Sequence, residues 1–432
     1  MIKNYNLSSI KKNNKIDSIP YRINIIKELM DGTQLETMVD YDMHDTEYYE
    51  KPDKYFDIDE DQSKNTRQVL NKKVLNFYKI INQIGGKLDY KKSGSTGHAF
   101  KGIIKTDDNE EITYGIKVVA YPKKKKYGSI TNITRPENAE LMMIRLLSYF
   151  VTNHHTPHII LPIASFYTSI EPFVTLLDDS IEKETNPKIK KKYSKYLEFV
   201  EKYKNDTYHK HVSILICEWA NKKDFLEFVR EDYTFSVENN RSNLSSLDWK
   251  VFFFQIISVL AHIQDKYPAF RHNDLKANNI LVHETKRNKG SRFKYTINQH
   301  EYYVPNIGYQ LKLWDFDFAC IPGIVENKKV NTKWTDAINI KPKQNRYYDM
   351  HYFFNTFIRK GFFHQFLISE HIPEEAREFV ARIIPRKFRN GKYVHERGRI
   401  LVNYEYKIPI EVLQNDVYFE EFRNGTYKKK KK

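Results

Sequence analysis

Cysteine, long apolar runs and a leader sequence are scarce or missing in this chain of 432 residues. Only two cysteines are present, Cys217 and Cys320, which excludes a disulfide framework and a cysteine-rich zinc site. A reducing compartment is the simplest environment for such a chain. No apolar run approaches the roughly 18 residues of a membrane span, and the N-terminal MIKNYNLSSIKKNNK lacks the apolar centre of a signal peptide. We therefore expect an intracellular protein without a transmembrane segment.

Positive charge and aromatic side chains are abundant instead. Lysine and arginine total 71 against 55 acidic residues, which gives a formal charge of +16. This charge favours anionic partners such as ATP, phosphorylated protein, nucleic acid or a membrane surface. Aromatic residues make up 14% of the chain, which argues against general disorder.

Both ends of the chain are predicted to lie outside the globular part. Residues 1–75 show no clear period, and Asp31–Asp61 is strongly acidic. This arm is either solvated and weakly ordered, or it folds onto the basic body of the molecule or docks a partner. Beyond about Arg377 we expect thin basic segments, and 421–432 is predicted to be a basic tail that ends in five lysines.

The most informative stretch is Arg271–Val282, which reads RHNDLKANNILV. The order and spacing of its polar residues match the catalytic loop H-R-D-L-x-x-x-N of protein kinases. Asp274 is predicted to accept the proton of an attacking substrate hydroxyl, and Lys276 to neutralise charge on the moving phosphoryl group. Asn279, before the apolar run, is predicted to hold a second Mg²⁺.

A nucleotide clamp is predicted upstream of this loop. Turn signals and apolar patterning predict three strands, at residues 87–90, 98–106 and 111–120. The loop at 91–97, KKSGSTG, places Gly94 and Gly97 at the second and third glycine positions of G-x-G-x-x-G. Glycine is needed there because a Cβ would keep backbone N–H groups away from phosphate. Lys92 stands at the first position, so the match is partial.

A lysine and a glutamate are predicted to complete the clamp. Lys117 lies on the third strand in YGIK, which matches V-A-I-K, and would hold the α- and β-phosphates. A helix is predicted over Arg135–Tyr149. Glu140 on this helix is the favoured partner of Lys117, and Glu137, one turn earlier, is its rival.

The run Val212–Ala220, VSILICEWA, is predicted to be a buried strand that leads into the hinge. Cys217 would occupy the gatekeeper position. Glu218 and Ala220 would offer backbone groups to the adenine of ATP, so the identity of their side chains carries little information.

A second metal ligand is predicted after the strand at Leu311–Phe318, LKLWDFDF. Asp315 stands where the aspartate of D-F-G belongs and would bind the Mg²⁺ that bridges the β- and γ-phosphates. Phe316 is expected to pack near His272 and Ile144. Asp317 replaces the usual glycine, so the turn is expected to flip less freely.

Two helices and two insertions fill the rest of the pattern. A long helix is predicted at Ser245–Gln264, where Ser245 and Asp248 form a capping box. A second helix is predicted at 345–359, where Asp349 would anchor the backbone of the catalytic loop. The insertion near 178–211 is either a plain insertion or an amphipathic helix that docks a partner or membrane. The other insertion lies near 283–310.

These parts resemble the eukaryotic-type protein kinase superfamily. More narrowly, they are similar to the virion serine/threonine kinases of poxviruses and related large DNA viruses. The details that carry this likeness are the long gap before Asp315, the DFDF sequence, and the helix YYDMHYFFNT without a following A-P-E. In Asn273 the chain departs from the arginine that usually precedes the catalytic aspartate, so we expect activity without an activation-loop phosphorylation switch.

The resemblance implies an α+β, two-lobed protein-kinase-like fold in a domain over 76–420. A small antiparallel β N-lobe is expected at about 76–217, and a mainly helical C-lobe at about 218–420. It implies use of ATP with Mg²⁺, or Mn²⁺ as an alternative, and transfer to serine or threonine of protein substrates. Viral structural proteins are among the expected partners, with a role in virion assembly and a location in the virion or host cytoplasm.

Two other functions stay open at this point. A small-molecule kinase of the aminoglycoside or choline type also uses H-x-D and a later asparagine, although Lys276 favours protein substrates. A pseudokinase scaffold would bind anionic partners, nucleic acid or membrane through its lysine runs. The incomplete glycine loop favours the scaffold, and the full set of Lys117, Asp274, Asn279 and Asp315 favours catalysis.

Overall fold

The computed structural model describes residues 18–41, 70, 73–94, 96–106, 110–176, 187–285, 290–330 and 332–423. The chain divides into two compact units, one formed by residues 1–146 and 161–219, the other by residues 147–160 and 220–432. The larger part of the acidic arm and the terminal lysines lie outside the described residues, so the predictions made for them are unchanged.

The first unit is built on an antiparallel sheet of five strands. They are β1 Lys87–Ser93, β2 Gly97–Lys105, β3 Glu111–Pro122, β4 Pro162–Ser169 and β5 Tyr208–Glu218. Their order in the sheet is β1-β2-β3-β5-β4. The three predicted clamp strands are confirmed, but β1 continues to Ser93 because Lys92 pairs with Ala99 across a bulge. The loop between β1 and β2 is therefore shorter than 91–97.

Among the described residues, five α-helices accompany this sheet. They are α1 Ile19–Met30, α2 Phe77–Ile84, α3 Pro136–Thr152, α4 Glu171–Val174 and α5 Pro187–Lys204. The division between the units falls within α3, after Leu146. On the part of α3 in the first unit, Leu141 and Ile144 are buried, as the apolar stripe of the predicted helix requires.

Helix α5 lies within the first insertion. Its Phe199 is fully buried, and the Phe199 ring lies 4.3 Å from that of His98 on β2. Burial lowers the pKa of His98 to about 4, so the imidazole packs as a neutral aromatic ring. Because the apolar side of α5 is used inside the unit, the structure favours a plain insertion over a partner-docking helix.

The N-terminal segment covers the edge of the sheet. Met38 donates its N–H to Ile163 O at 2.8 Å, and the Tyr41 hydroxyl donates to Pro162 O at 2.5 Å. Leu75 donates its N–H to Tyr167 O at 2.8 Å. All three acceptors lie on β4, whose unpaired edge would otherwise invite pairing with another chain. The expectation of a weakly ordered arm is therefore wrong for residues 18–41 and 73–75.

Helix α1 is fastened to the end of β5 by an ion pair. Arg22 donates from Nε to Glu218 Oε1 and from Nη2 to Glu218 Oε2, both at 2.7 Å. Glu218 Oε2 also accepts the N–H of Leu161 at 2.7 Å. Arg22 is 8% exposed, so removing it leaves a largely buried carboxylate without its cation.

We expect Arg22→Met to lower the free energy of unfolding by about 3 kcal/mol, because breaking one side of a buried pair strands the other charge. Urea denaturation measures this loss. Adding Glu218→Gln to Arg22→Met should restore part of it. Lys73 is the matched control, since it pairs with Glu36 and both side chains are 56% exposed; Lys73→Met should change stability by less than about 1 kcal/mol. Equal losses in the two variants would contradict the prediction.

The second unit is mainly helical. Its helices are α6 Phe225–Asn239, α7 Ser246–Lys266, α8 Lys333–Asp336, α9 Tyr348–Asn355, α10 Glu374–Ile383, α11 Pro409–Asn415 and α12 Glu420–Arg423. The sheet and these helices confirm the α+β class, while the two-lobed arrangement stays a prediction.

Helix α7 is the central element of this unit. The predicted capping box at its start is present, because Ser245 and Asp248 each bond the other's backbone N–H. Within the described residues, α7 is the one helix long and apolar enough to cross a membrane, but most of it is buried inside the unit. A buried core helix passes the same test of length and composition.

Two short β-pairs complete the second unit. They are β6 Ile280–Glu284 with β9 Tyr309–Leu313, and the hairpin of β7 Arg292–Ile297 with β8 His300–Pro305. The hairpin lies within the second insertion. The rings of Tyr295 and Tyr302 lie 5.1 and 5.4 Å from that of Phe254 on α7, so this insertion adds to the core.

Residues 378–423 are folded, and the expectation of thin basic segments is wrong there. Phe379 on α10 is buried and stacks on Tyr418 with ring centroids 4.4 Å apart. Phe419 and Phe422 are also buried, and α12 continues to Arg423, past the predicted domain end at 420. Apolar residues spaced among many cations form this part of the core, and the charged background hid their periodicity.

Candidate active site

Lys117 forms the ion pair expected of the clamp. It lies within β3, opposite Ala99 on β2 and Leu215 on β5. Its Nζ is 2.5 Å from Oε1 of Glu140, which is 5% exposed. The rival Glu137 instead accepts from Nε of Arg135 at 3.1 Å. The structure therefore confirms Glu140 as the partner, because the register of β3 and the phase of α3 bring these two side chains together.

The glycine loop is closed by a hydrogen bond from Gly94 N–H to Gly97 O, 2.8 Å long. A Cβ on Gly97 would lie 1.8 Å from Val118 O on β3, whereas a Cβ on Gly94 would meet its nearest neighbour only at 3.9 Å. Close approach of two strands thus requires glycine at Gly97. Contact of either glycine with phosphate stays a prediction.

The predicted hinge residues Glu218 and Ala220 lie where β5 ends and the second unit begins. Glu218 donates its backbone N–H to Leu161 O at 3.0 Å, and contact of its backbone with an adenine stays a prediction. Ala220 is buried. The Cys217 thiol donates to Gly115 O at 3.8 Å, and burial raises the pKa of this thiol, so it is an unreactive packing group.

The backbone of the catalytic loop is held in place by the side chain of Asp349 on α9. Asp349 Oδ2 accepts the N–H of His272 at 2.7 Å, and Oδ1 accepts the N–H of Asn273 at 2.9 Å. Burial raises the pKa of Asp349, while His272, Arg271 and the two backbone N–H groups act in the opposite direction. The predicted anchoring role of Asp349 is confirmed.

Three side chains of the loop form one polar cluster. Lys276 Nζ lies 3.2 Å from Asp274 Oδ2. Asn279 donates from Nδ2 to Asp274 Oδ2 at 3.0 Å and to Asp274 O at 2.9 Å. Both Asn279 bonds use the amide nitrogen, so its carboxamide oxygen is the atom that can face a cation. A short 3-10 turn over Ala277–Asn279 creates this geometry.

Asp315 follows β9 at the same end of the β6–β9 pair as Asn279. Ile280 pairs with Leu313, so the residues just before Ile280 and just after Leu313 are neighbours. Asp315 has φ +66°, a left-handed conformation that few non-glycine residues adopt and that clusters at functional sites. The structure thus places both predicted metal ligands at one end of this β-pair.

The turn after Asp315 is held by its own side chains. Phe316 packs on His272 with ring centroids 5.1 Å apart, as expected. Asp317, in the usual place of glycine, forms an ion pair with Lys329, and its carbonyl accepts from Asn327 Nδ2 at 3.0 Å. These bonds give a physical reason for the expectation that the turn flips less freely.

The segment beyond this turn is held against the catalytic loop by hydrogen bonds. Asn273 donates from Nδ2 to Phe318 O at 3.0 Å, and Arg271 and Cys320 exchange backbone bonds of 3.0 and 3.1 Å. Asn273 has φ +63°. Asn273, which replaces the usual arginine, therefore links the catalytic loop to this segment through its own side-chain hydrogen bond.

The side-chain oxygen atoms of Asp315 and Asn279 suit a hard cation. Asp315 and Asn279 would supply a carboxylate and a carboxamide oxygen, and Mg²⁺ prefers one or two protein oxygens together with phosphates. Among the described residues no group of three or more histidine, cysteine or acidic side chains forms a metal site, as is normal where phosphates complete the coordination. The side chains present thus fit Mg²⁺ with a nucleotide.

Comparison with known proteins shows the family of this chain. A family model described as poxvirus serine/threonine protein kinase matches residues 140–418. The chain belongs to this kinase family. A protein of Acanthamoeba polyphaga mimivirus named "Putative serine/threonine-protein kinase R400" is 42% identical over 410 residues, 94% of this chain and 81% of that protein. A second mimivirus protein, named "Putative serine/threonine-protein kinase R301", is 36% identical over 100 residues, 23% of this chain and 25% of its own length.

The chain is thus a serine/threonine protein kinase of a viral family, and its substrates are proteins. Three residues of this kinase that sequence reasoning missed are Arg22 beside Glu218, Lys329 beside Asp317, and Arg399 beside Asp274. Each forms an ion pair with a residue that the motifs had identified. No local signal marks them, because Arg22 and Arg399 lie 196 and 125 residues from their partners.

Proposed function

We propose that this kinase transfers the γ-phosphoryl group of Mg²⁺-ATP to serine or threonine hydroxyls of proteins, with Asp274 as catalytic residue. The observation that carries the proposal is the Asp274–Lys276–Asn279 cluster on a loop whose backbone is fixed by Asp349. A fixed carboxylate beside a cation is what in-line phosphoryl transfer requires, since catalysis there is mostly positioning and electrostatic stabilisation.

The reaction assigns a role to each group. The substrate hydroxyl oxygen attacks the γ-phosphorus while its proton passes to Asp274. The bond from the γ-phosphorus to the β,γ-bridging oxygen breaks, and ADP leaves. Lys276 stabilises the charge on the moving phosphoryl group.

The remaining site residues would hold ATP and its metal. Lys117, oriented by Glu140, would bind the α- and β-phosphates. Gly94 and Gly97 would cover the phosphates, and the backbone of Glu218 and Ala220 would bind adenine. Asn279 and Asp315 would hold Mg²⁺, with Mn²⁺ as a substitute, and the metal would neutralise charge on the phosphate oxygens.

Incubation with labelled Mg²⁺-ATP tests the proposal. We expect label on serine and threonine of protein acceptors, including this chain, and none on aminoglycosides or choline. Phosphate mapping by mass spectrometry identifies the residues. Nucleotide binding without turnover would instead support a pseudokinase scaffold, and transfer only to the small alcohols would support a small-molecule kinase.

We also propose that its substrates include structural proteins of a virus particle, with a role in virion assembly. This rests on the viral family to which the chain belongs. Purified particles should contain the chain by mass spectrometry, and particles made without its activity should lose specific phosphoserines and phosphothreonines. Particles of unchanged composition and phosphorylation would overturn this part of the proposal.

A further inference from the structure

The carboxylate of Asp274 has a second cationic partner that the catalytic motif does not supply. Its Oδ2 faces Lys276 and Asn279, whereas its Oδ1 accepts a hydrogen bond from Nη2 of Arg399. Asp274 and Arg399 are each 7% exposed. A buried arginine bound to one oxygen of a carboxylate restricts the rotation of that carboxylate.

An aromatic ring supports the guanidinium of Arg399 in turn. Its guanidinium lies over the ring of Tyr352 on α9, 4.5 Å from the centroid. A cation over an aromatic face is stabilised most when both groups are desolvated, and Tyr352 is 3% exposed. Helix α9 also carries Asp349, so one helix supports the backbone of the catalytic loop and the cation that contacts its aspartate.

The backbone on either side of Arg399 is tied to the body of the second unit. Asn355 donates from Nδ2 to Gly398 O at 2.8 Å, and Asn339 donates from Nδ2 to Ile400 O at 2.9 Å. Gly398 has φ +92°, a conformation suited to glycine. These ties make Arg399 a fixed part of the unit, which argues against a removable inhibitory plug.

We propose that Arg399 is a positioning residue that holds the Asp274 carboxylate in the orientation needed to receive the phosphoacceptor hydroxyl. The proposal rests on the proposed kinase activity. Arg399 acts through Asp274, so its loss changes the geometry of the chemical step. Binding of ATP is assigned to other residues, Lys117 among them, so the KM for ATP is expected to stay nearly unchanged.

Steady-state kinetics of Arg399→Met and Arg399→Lys in the full chain test this role. Arg399→Met should lower kcat about 100-fold, the effect of a small misplacement of a catalytic group, with a KM for ATP within about twofold of wild type. Arg399→Lys keeps a cation near Oδ1 and should recover part of the loss. Thermal melting of each variant is measured alongside, at an assay temperature well below the transition.

The matched control is Arg359→Met. Arg359 donates from Nη2 to Glu396 O at 2.5 Å, so it ties down the same backbone segment without contacting Asp274. It should keep wild-type kcat even if its melting temperature falls. A loss of kcat in Arg359→Met equal to that in Arg399→Met would show that Arg399 acts through general folding of the segment, and would overturn the proposal.

The background of Asp274→Asn gives an independent readout. If Arg399 acts through Asp274, then adding Arg399→Met to Asp274→Asn should leave the residual turnover unchanged. A further loss of the same size as in the wild-type background, or an Arg399→Met enzyme with kcat within twofold of wild type, would overturn the proposal while the kinase activity stands. A wild-type chain that transfers no phosphate would overturn the proposed function itself, and this inference with it.

Discussion

Replacing Asp274 by asparagine is expected to lower protein phosphorylation by about 10³-fold, the contribution typical of a positioned acid–base group. The hydroxyl proton then has no carboxylate to receive it, while Lys276 and the metal-binding side chains stay in place. Initial rates with labelled ATP and a protein acceptor measure the loss. Asp265→Asn, at an exposed position near the end of α7, is the matched control and should keep full activity.

The Asp274 variant will also be less stable than wild type. Without the carboxylate, the buried guanidinium of Arg399 loses its counter-ion, which costs about 3 kcal/mol in the free energy of unfolding. The double variant Asp274→Asn with Arg399→Met removes both charges and should regain most of that stability while remaining inactive. A stable and inactive double variant separates the chemical role of Asp274 from its structural one. Full activity in Asp274→Asn would refute the assignment.

Replacing Lys117 by methionine is expected to lower phosphoryl transfer by about 10²-fold to 10³-fold, as when one electrostatic contact to reacting groups is removed. Lys117 Nζ is 2.5 Å from Glu140 Oε1, and this ion pair holds the ammonium group in one place on a rigid strand. Calorimetric titration with Mg²⁺-ATP and initial-rate kinetics measure binding and turnover separately. Lys105→Met, at the exposed end of β2, is the matched control.

A comparison of Glu140 with Glu137 tests the role of the Lys117 ion pair separately. Glu140→Gln removes the charge that orients Lys117 and should lower turnover about tenfold, whereas Glu137→Gln should not, because Glu137 pairs with Arg135. Rates are compared at equal concentrations of folded enzyme, since both glutamates are buried. Equal turnover in the two glutamine variants would contradict the role of the Lys117–Glu140 pair.

Local patterns were sufficient for the elements that carry the site. Three patterns depend on neighbours only a few residues apart, and the structure has all three. They are the spacing in RHNDLKANNILV, the succession of three strands up to Lys117, and the capping box of Ser245. Boundaries were less certain, because β1 runs through Lys92 where a bulge absorbs one residue. The helix predicted at 345–359 is shorter, Tyr348–Asn355.

By itself, the sequence determined the α+β class, the family likeness, and the residue types and order of the catalytic set. Only the tertiary structure decided that Glu140 rather than Glu137 meets Lys117, that residues 18–41 cover the edge of the sheet, and that Arg399 meets Asp274. The physical reason is distance along the chain. A motif records what a short segment must present to a substrate, whereas burial of a distant arginine beside a carboxylate depends on how helices pack, and no short segment encodes that packing.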